Sequence, residues 1–267
     1  MEAGRALNKT GAFKTAHYYF DFGLKLLPQD KWKNCYRLTY ELTVSLGESN
    51  YLNGLFDEAI SLLDEALQNA LSDYEKLKVY NIKVSLYLHR NEYEKAIEEG
   101  LSGLSLYNQK IPKKVNKLQI AYEYGKILLS LKGKTKKDLR KLPFVKDEEI
   151  RELFDIYISL NSPAFFVDQN LAVLFMLKAV NMTLKYGISE KSVMVFNNFA
   201  LVLGSGFGDY DKSYYFSRLA LDLAEEFGVP HYLGRAYFVF ASFNSHWKEP
   251  LRNSISYFEK GQLLLLE

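Results

Sequence analysis

The chain has little cysteine, proline or glycine, and it has no long apolar run. A single cysteine, Cys35, among 267 residues excludes an internal disulfide and a cysteine metal cluster, and it is typical of a reducing compartment. Six prolines and sixteen glycines are too few for long irregular stretches. The longest apolar run, Leu171 to Leu177, is far shorter than the roughly 20 residues that cross a bilayer. We therefore expect an ordered cytoplasmic protein with no membrane partner and no leader peptide.

Residue patterns that carry chemistry are also scarce. The segment 132–135 resembles the end of a phosphate-binding loop, but Leu128 replaces the required earlier glycine. The glycines of 204–208 follow a helical pattern and not a strand, so we predict a plain turn there. The pairs Glu98-Glu99 and Glu225-Glu226 have no accompanying nucleophile or base, which favours solvated helix faces. We expect no catalytic residue, no cofactor and no metal.

What the chain does contain is a repeat. An aromatic residue is followed three residues later by a small residue, and a second small residue comes seven residues after the first. The copies begin at Phe13, Phe56, Tyr93 and Tyr210, with a weaker copy at Leu251. The period is about 40 residues, and periods of this size are typical of stacked helix pairs. Small residues at such spacing let one helix pack closely against another.

Other positions extend this pattern. Ala172 and Ala179 have the same separation of seven residues, and a degenerate copy is expected near residue 134. Residues that favour tight turns lie two positions before the aromatic of four copies: Gly11, Gly54, Asn91 and Gly208. Amphipathic runs precede these turns: Tyr36 to Leu52, Leu77 to His89, Val193 to Leu203 and Leu233 to Phe243. Prolines, including Pro163, are expected between helices.

The sequence thus predicts an all-α fold, an α-solenoid of about six to seven antiparallel helix pairs. We expect one domain over 1–267, made of an N-terminal half-array 1–109, a basic degenerate repeat or elbow 110–143, and a C-terminal half-array 144–267. Arrays of this kind bury one continuous core and supply binding surfaces more often than catalytic groups.

The middle of the chain is strongly basic. The segment 110–141 holds eleven Lys or Arg against Glu123 and Asp138, a net charge of +9, whereas the whole chain carries +2 and the remainder therefore −7. Two interpretations stay open: a solvated turn between two half-arrays, or a docking patch for an acidic partner, nucleotide or nucleic acid. The candidate patch residues are Lys134, Lys136, Lys137, Arg140 and Lys141.

Both ends of the sequence lack a polar capping repeat. Only part of a first helix precedes Ala16, and the chain stops on the apolar run 263–266. Terminal repeats of free-standing arrays usually have a polar outer face. We therefore expect either a segment of a longer protein or terminal helices that dock elsewhere, for example in a homodimer.

The repeat residues resemble the tetratricopeptide family. One copy matches its pattern of Leu-Gly in the first helix and aromatic-x-x-Ala in the second, through Leu46-Gly47, Tyr51, Phe56, Ala59 and Ala66. Tyr87, Tyr93 and Ala96 match in the next copy. The resemblance implies a superhelical array that binds proteins. The period is longer than the family's, which indicates a divergent, long-helix version.

A narrower resemblance covers nearly the whole chain, to the helical-repeat region of large bacterial sensor proteins. It is carried by several short segments: 51–56, 97–101, 139–143, 184–189 and 208–210. In those proteins the region follows a predicted AAA-type ATPase, often behind a kinase-like domain, and precedes GAF and histidine-kinase domains. The resemblance implies a regulatory, non-catalytic segment that links a nucleotide switch to signalling output.

A binding groove is the remaining candidate site. If the first helix of each pair lines a concave wall, its asparagines can bind the backbone of a peptide through paired donor and acceptor groups. By register the inward-facing residues are Asn81, Ser85, Tyr157, Asn161 and Asn198. The alternative is that these side chains make local hydrogen bonds between helices or face solvent.

These observations favour a non-catalytic scaffold for protein–protein or interdomain contacts in bacterial signal transduction, with a spring-like array coupling an upstream switch to output. One alternative is a regulator that captures a peptide in its groove. A second is a nucleic-acid-binding array that uses the basic segment. The second is disfavoured, since a tracking groove requires basic residues in every repeat.

Overall fold

The computed structural model describes residues 1–112 and 114–266, without the side chain of Lys9. These residues form an all-α fold with one isolated bridge, between Phe144 and Ile188, and no strand. The α-helices are α1 Glu2–Lys9, α2 Phe13–Lys25, α3 Lys31–Asn34, α4 Tyr36–Leu52, α5 Phe56–Asn69, α6 Asp73–His89, α7 Tyr93–Leu106, α8 Lys117–Leu131, α9 Lys136–Arg140, α10 Glu148–Val167, α11 Gln169–Tyr186, α12 Ser192–Leu201, α13 Tyr210–Phe227, α14 Pro230–Val239 and α15 Asn253–Leu266.

The helices pack as antiparallel pairs in two compact units, Met1–Ile111 and Pro112–Glu267. The first unit contains the pairs α1/α2, α4/α5 and α6/α7, and the second contains α10/α11, α12/α13 and α14/α15. In the second unit α8 packs against α11, and the short α9 contacts α13. The prediction of an all-α fold of six to seven helix pairs is confirmed for the described residues. The predicted division of the chain at residues 109 and 143 stays a prediction. The basic segment 110–141 belongs to the second unit, except for its first two residues.

The turns inside the pairs lie where the sequence predicts them. The residue two positions before each aromatic is in the left-handed region of backbone space, with φ of 77° at Gly11, 80° at Gly54, 59° at Asn91 and 68° at Gly208. The next residue then folds back onto the preceding helix, as where Leu55 N–H donates to the Asn50 carbonyl at 2.9 Å. Glycine and asparagine tolerate this conformation, so each first helix ends there and each second helix begins on its aromatic.

The small residues of the repeat lie in the seams between helices. Six of them are fully buried: Ala16, Ala59, Ala66, Ala96, Ser213 and Ala220. Gly47 belongs to the same seam, because a Cβ there would lie 3.0 Å from Cγ of Leu63 on the partner helix. The small residues of the repeat are therefore the positions at which two helices pack closely, as their spacing predicts.

Two pairs carry a feature that the sequence did not predict. A five-residue π-helix extends the first helix at Val202–Gly206 and again at Phe240–Asn244, one repeat period later. The prediction of a plain turn at 204–208 is therefore wrong for its first three residues. A Cβ at Gly204 would lie 2.8 Å from Ser213 Oγ, so glycine permits the close approach of α13. Ser213 also donates to Asn244 Oδ1 at 2.6 Å, which joins both π-helical pairs.

Pro163 lies inside α10, which corrects its placement between helices. It has no N–H to donate to the Ser159 carbonyl, yet the helix continues to Val167. The side chain is buried, and Asp168 then caps α11 by accepting from the Asn170 N–H at 2.9 Å. The reason is tertiary, since packing against α11 maintains a helix that local propensity disfavours.

The degenerate copy near residue 134 is a five-residue helix. Thr135 caps α9 by accepting from the Asp138 N–H, and Asp138 in turn accepts from the Thr135 N–H at 2.8 Å. No long second helix follows α8 in the described part of the chain. Instead α8 is fixed to α11 by Glu123, which accepts from Asn181 Nδ2 at 2.8 Å and pairs with Lys178 at 3.4 Å.

Candidate interaction surfaces

Within the first unit, successive helix pairs are joined by a buried lysine. Lys83 of α6, whose side chain is 7% exposed, lies 2.7 Å from Asp64 of α5 and 2.7 Å from Glu99 of α7. Burial alone would lower the pKa of Lys83, but the hydrogen bonds to both carboxylates reverse this effect and raise it. The cluster is structural, since Lys83 binds carboxylates on two neighbouring helices.

Tyrosine–glutamate hydrogen bonds make a second kind of junction. Tyr36 of α4 donates to the Glu75 carboxylate at 2.6 Å, and burial together with this bond raises the pKa of Tyr36 to about 12. In the second unit Tyr214 of α13 donates to Glu249 at 2.7 Å, with its pKa also raised to about 12 by burial and this bond. Both bonds span about one repeat period, so they fasten one pair to the next.

The two glutamate pairs are not simply solvated, which corrects the expectation for them. Glu99 binds Lys83, as described above. Glu225 accepts from the Tyr237 hydroxyl at 2.9 Å, and Glu226 pairs with Arg140 at 3.0 Å. Both pairs thus contribute to packing between helices.

The predicted groove residues do not share one environment. Tyr157 is fully buried and packs its ring against Phe175 in the core, so its assignment to a groove wall is wrong. Burial raises its pKa well above the usual range. The prediction for Tyr157 failed because α10 is apolar over a wide arc, so the sequence pattern does not show which face of α10 points inward. Ser85 donates to the backbone carbonyl of Asn81 within α6, at 3.2 Å.

The two remaining groove candidates are half-buried. Asn161 lies on α10 and Asn198 on α12, both in the second unit, whereas Asn81 and Ser85 belong to the first. A role for these four residues in peptide binding stays a prediction.

Part of the predicted basic patch is paired internally. Lys136 lies 2.6 Å from Asp222 of α13, and Arg140 lies 3.0 Å from Glu226 and 3.7 Å from Asp222. These ion pairs hold α9 against α13. This structural role differs from both interpretations that the sequence left open, a solvated turn and a docking patch. Lys134, Lys137 and Lys141 are exposed, whereas Lys113 lies outside the described residues.

An apolar surface that the sequence did not predict is exposed on α8. Leu118, Tyr122 and Leu129 lie on one side of the helix and are 80%, 68% and 75% exposed. Their spacing of four and seven residues is helical, but such spacing does not distinguish an exposed apolar face from a buried one. With Ala121, Gly125 and Leu128 they define what we call the α8 face.

The terminal helices also display apolar side chains. Tyr18 and Phe22 of α2 and Leu26 directly after it are exposed, and so are Ile255 and Leu266 of α15. Dimerisation through these helices stays a prediction. Among the described residues, no three His, Cys, Asp or Glu side chains are grouped so that they could bind a metal ion.

No helix within 1–112 or 114–266 has both the length and the apolar character required to span a bilayer.

The chain is similar in sequence to part of a signalling protein and similar in structure to a helical protein. No protein-family model matches it. It is 23% identical, over 295 aligned residues that include the whole chain, to the hybrid signal transduction histidine kinase G of Dictyostelium discoideum, of which it spans 9%. Among solved structures, BtubC (BKLC) from P. vanneervenii has a TM-score of 0.66 and 15% identity, covering 95% of this chain and 91% of that chain.

The structural likeness supports the all-α helical-repeat fold and says nothing more at this identity. The sequence likeness agrees with the signal-transduction context that the residues predict. Neither comparison tests bacterial origin or a tetratricopeptide relationship, and those two predictions stand as they were.

Proposed function

We propose that the chain is a non-catalytic scaffold, a divergent tetratricopeptide-like segment that mediates protein–protein or interdomain contacts in a cytoplasmic signal-transduction protein. The proposal depends on one observation, that charged side chains form ion pairs between helices. Lys83, Glu99, Arg140 and Glu226 bind residues of neighbouring helices, so these charged groups contribute to the helical array. The surface meanwhile keeps apolar helix faces exposed.

The comparison with histidine kinase G supports the signalling context. The aligned region is under a tenth of that protein, as expected for one segment among several in a long signalling chain. The six helix pairs support a contact-making role, because stacked pairs present long surfaces while each pair contacts only its neighbours.

Binding and phosphotransfer measured together test the proposal. The purified chain is titrated by calorimetry with histidine-kinase cores and receiver domains from its own genome, and it is incubated with radiolabelled ATP. We expect saturable binding to at least one such domain. We also expect at least a twofold change in that kinase's autophosphorylation and no ATP hydrolysis or label on the chain itself.

Two results would contradict it. ATP hydrolysis or phosphate uptake by the chain, in a preparation that lacks any kinase, would overturn the non-catalytic assignment. Failure to bind every kinase core and receiver domain from the genome would overturn the signalling role.

A further inference from the structure

The helix α8 is apolar on two opposite faces, and only one of them is covered. Ile127 is fully buried on the side that packs against α11, together with Glu123 and its bonds to that helix. The α8 face lies on the other side. A helix that is apolar all round is typically buried on all sides. Here one side, about 16 Å long from Leu118 to Leu129, is exposed to solvent.

The α8 face lines most of a wide-open groove with a volume of about 650 Å³. The apolar lining comes from Tyr122, Leu128, Leu129 and Leu131, together with the small residues Ala121 and Gly125. A Cβ placed on Gly125 would meet nothing within 4 Å. Glycine inside a helix costs about 1 kcal/mol relative to alanine, and no contact within the described chain requires it here. It leaves a notch at which another backbone can approach.

The notch repeats the motif by which this chain packs helices. Tyr122 precedes Gly125 by three residues, the same spacing as Phe56 and Ala59 or Tyr93 and Ala96. In those copies the small residue is fully buried against a partner helix. On α8 the motif faces the groove. The fitting occupant is therefore another helix.

The charge around the groove defines that helix further. Lys126 of α8, Lys132 directly after α8 and Lys212 of α13 line the groove, and no carboxylate of the described residues does. Lys117 is exposed at the start of the same helix. Lys126 and Lys212 have carboxylate neighbours outside the lining, Glu123 and Asp209, whereas Lys132 is exposed at the end of the groove. An apolar stripe flanked by cations is complementary to an amphipathic helix with acidic flanks.

We propose that the α8 face binds an amphipathic helix of a partner protein, whose apolar stripe fills the groove beside Gly125 and whose acidic flanks face Lys126, Lys132 and Lys212. The inference rests on the proposed scaffold function and names the chemistry of one partner. Its test uses a synthetic helix, so its failure is distinct from failure to bind signalling domains.

Fluorescence anisotropy with two labelled peptides tests the proposal. The peptides share one leucine stripe, and the flanks are glutamates in the first and lysines in the second. We expect the glutamate peptide to bind at least tenfold more tightly, and raising NaCl from 50 to 500 mM to weaken it several-fold. The double change Lys117→Glu with Lys132→Glu is expected to reverse the preference, a result that simple unfolding would not give.

Three single variants locate the binding site. Leu129→Glu is expected to weaken binding of the glutamate peptide at least tenfold. Leu71→Glu, at an equally exposed leucine between α5 and α6, serves as the matched control and is expected to change binding less than twofold. Gly125→Ala is expected to raise the melting temperature of the protein, because alanine favours the helix. The same change is expected to weaken binding of the glutamate peptide at least threefold, because the added methyl group fills the notch.

Several outcomes would overturn the proposal. One is equal binding of both peptides, or no binding of either. Another is an equal loss of binding in Leu129→Glu and Leu71→Glu. Capture of the chain by phosphatidylserine vesicles, without peptide binding, would assign the face to a membrane surface. Self-association that Leu129→Glu abolishes, again without peptide binding, would assign it to a second copy of the chain.

Discussion

Single residues in this protein act mainly by fitting helices together. Gly47 and Gly204 permit close approach of a partner helix, and Ser213 bonds across a seam. Gly125 differs from these two helical glycines, because a Cβ there would meet no described atom within 4 Å. Residues of the first kind are visible in the repeat pattern. Gly125 becomes distinct only when its surroundings are known.

A half-buried carboxylate on α4 gives a prediction at the same scale. Burial raises the pKa of Glu48 above its usual range. The folded state is therefore penalised when Glu48 is ionised, so Glu48→Gln is expected to stabilise the protein at pH 7, by roughly 1–3 °C in melting temperature.

The pH dependence provides the check. The penalty is present above the folded pKa and disappears as pH falls towards the unfolded value of about 4.3. The melting curves of wild type and Glu48→Gln should thus converge near pH 4. A difference that is constant from pH 4 to pH 8 would show that the ionisation of Glu48 is not its cause.

At the scale of elements, helix pairs are joined by a few polar contacts that cross from one pair to the next. Lys83 and Tyr36 bind residues of other helices, and Tyr214 binds Glu249 in the segment between α14 and α15. None of these contacts belongs to the repeat signature that predicts the pairs. The signature reflects packing within a pair, which depends on local spacing. Lys83 and Asp64 are 19 residues apart and Tyr36 and Glu75 are 39 apart, so the spacing of the repeat does not reveal these contacts.

Replacing the lysine between α5, α6 and α7 tests the importance of such a junction. Lys83→Met leaves Asp64 and Glu99 without their shared cation, and we expect a loss of about 1–3 kcal/mol in unfolding free energy, less than for a fully buried pair because Asp64 is partly exposed. Denaturant unfolding measures the loss, with Lys76→Met on the same helix as the control.

The sign of the pH effect follows from the pKa. Because the pKa of Lys83 is raised, its contribution is complete below its unfolded value of about 10.4 and declines as pH rises through the folded value. The difference between wild type and Lys83→Met should therefore be constant from pH 6 to 9 and shrink above pH 10.5. Equal stability of wild type and variant at pH 7 would refute a structural role for the cluster.

At the scale of the molecule, each compact unit contains its own helix pairs. In the first unit the bonds of Tyr36 and Lys83 have all their partners within Met1–Ile111. We expect residues 1–111 expressed alone to be helical by circular dichroism and to unfold cooperatively. A non-cooperative or largely unfolded fragment would show that its stability depends on residues beyond 111.

Local residue patterns are sufficient to predict most of the helices, turns and helix pairs. These follow from local rules: left-handed turns need glycine or asparagine, as at Gly54 and Asn91, and helices that pack closely need small residues at helical spacing, as at Ala59 and Ala66. Even the weak unit near residue 134 was visible as a change in composition.

Which side of each helix is covered depends on tertiary packing. Tyr157 and Leu129 have similar periodic surroundings in the sequence, yet Tyr157 is in the core and Leu129 faces solvent. Lys136 and Lys134 are two residues apart, yet only the first is paired with Asp222. Pro163 and the two π-helices likewise depend on neighbouring helices. The physical reason is that periodicity fixes the face on which a residue lies, whereas burial and ion pairing depend on which distant helix packs against that face.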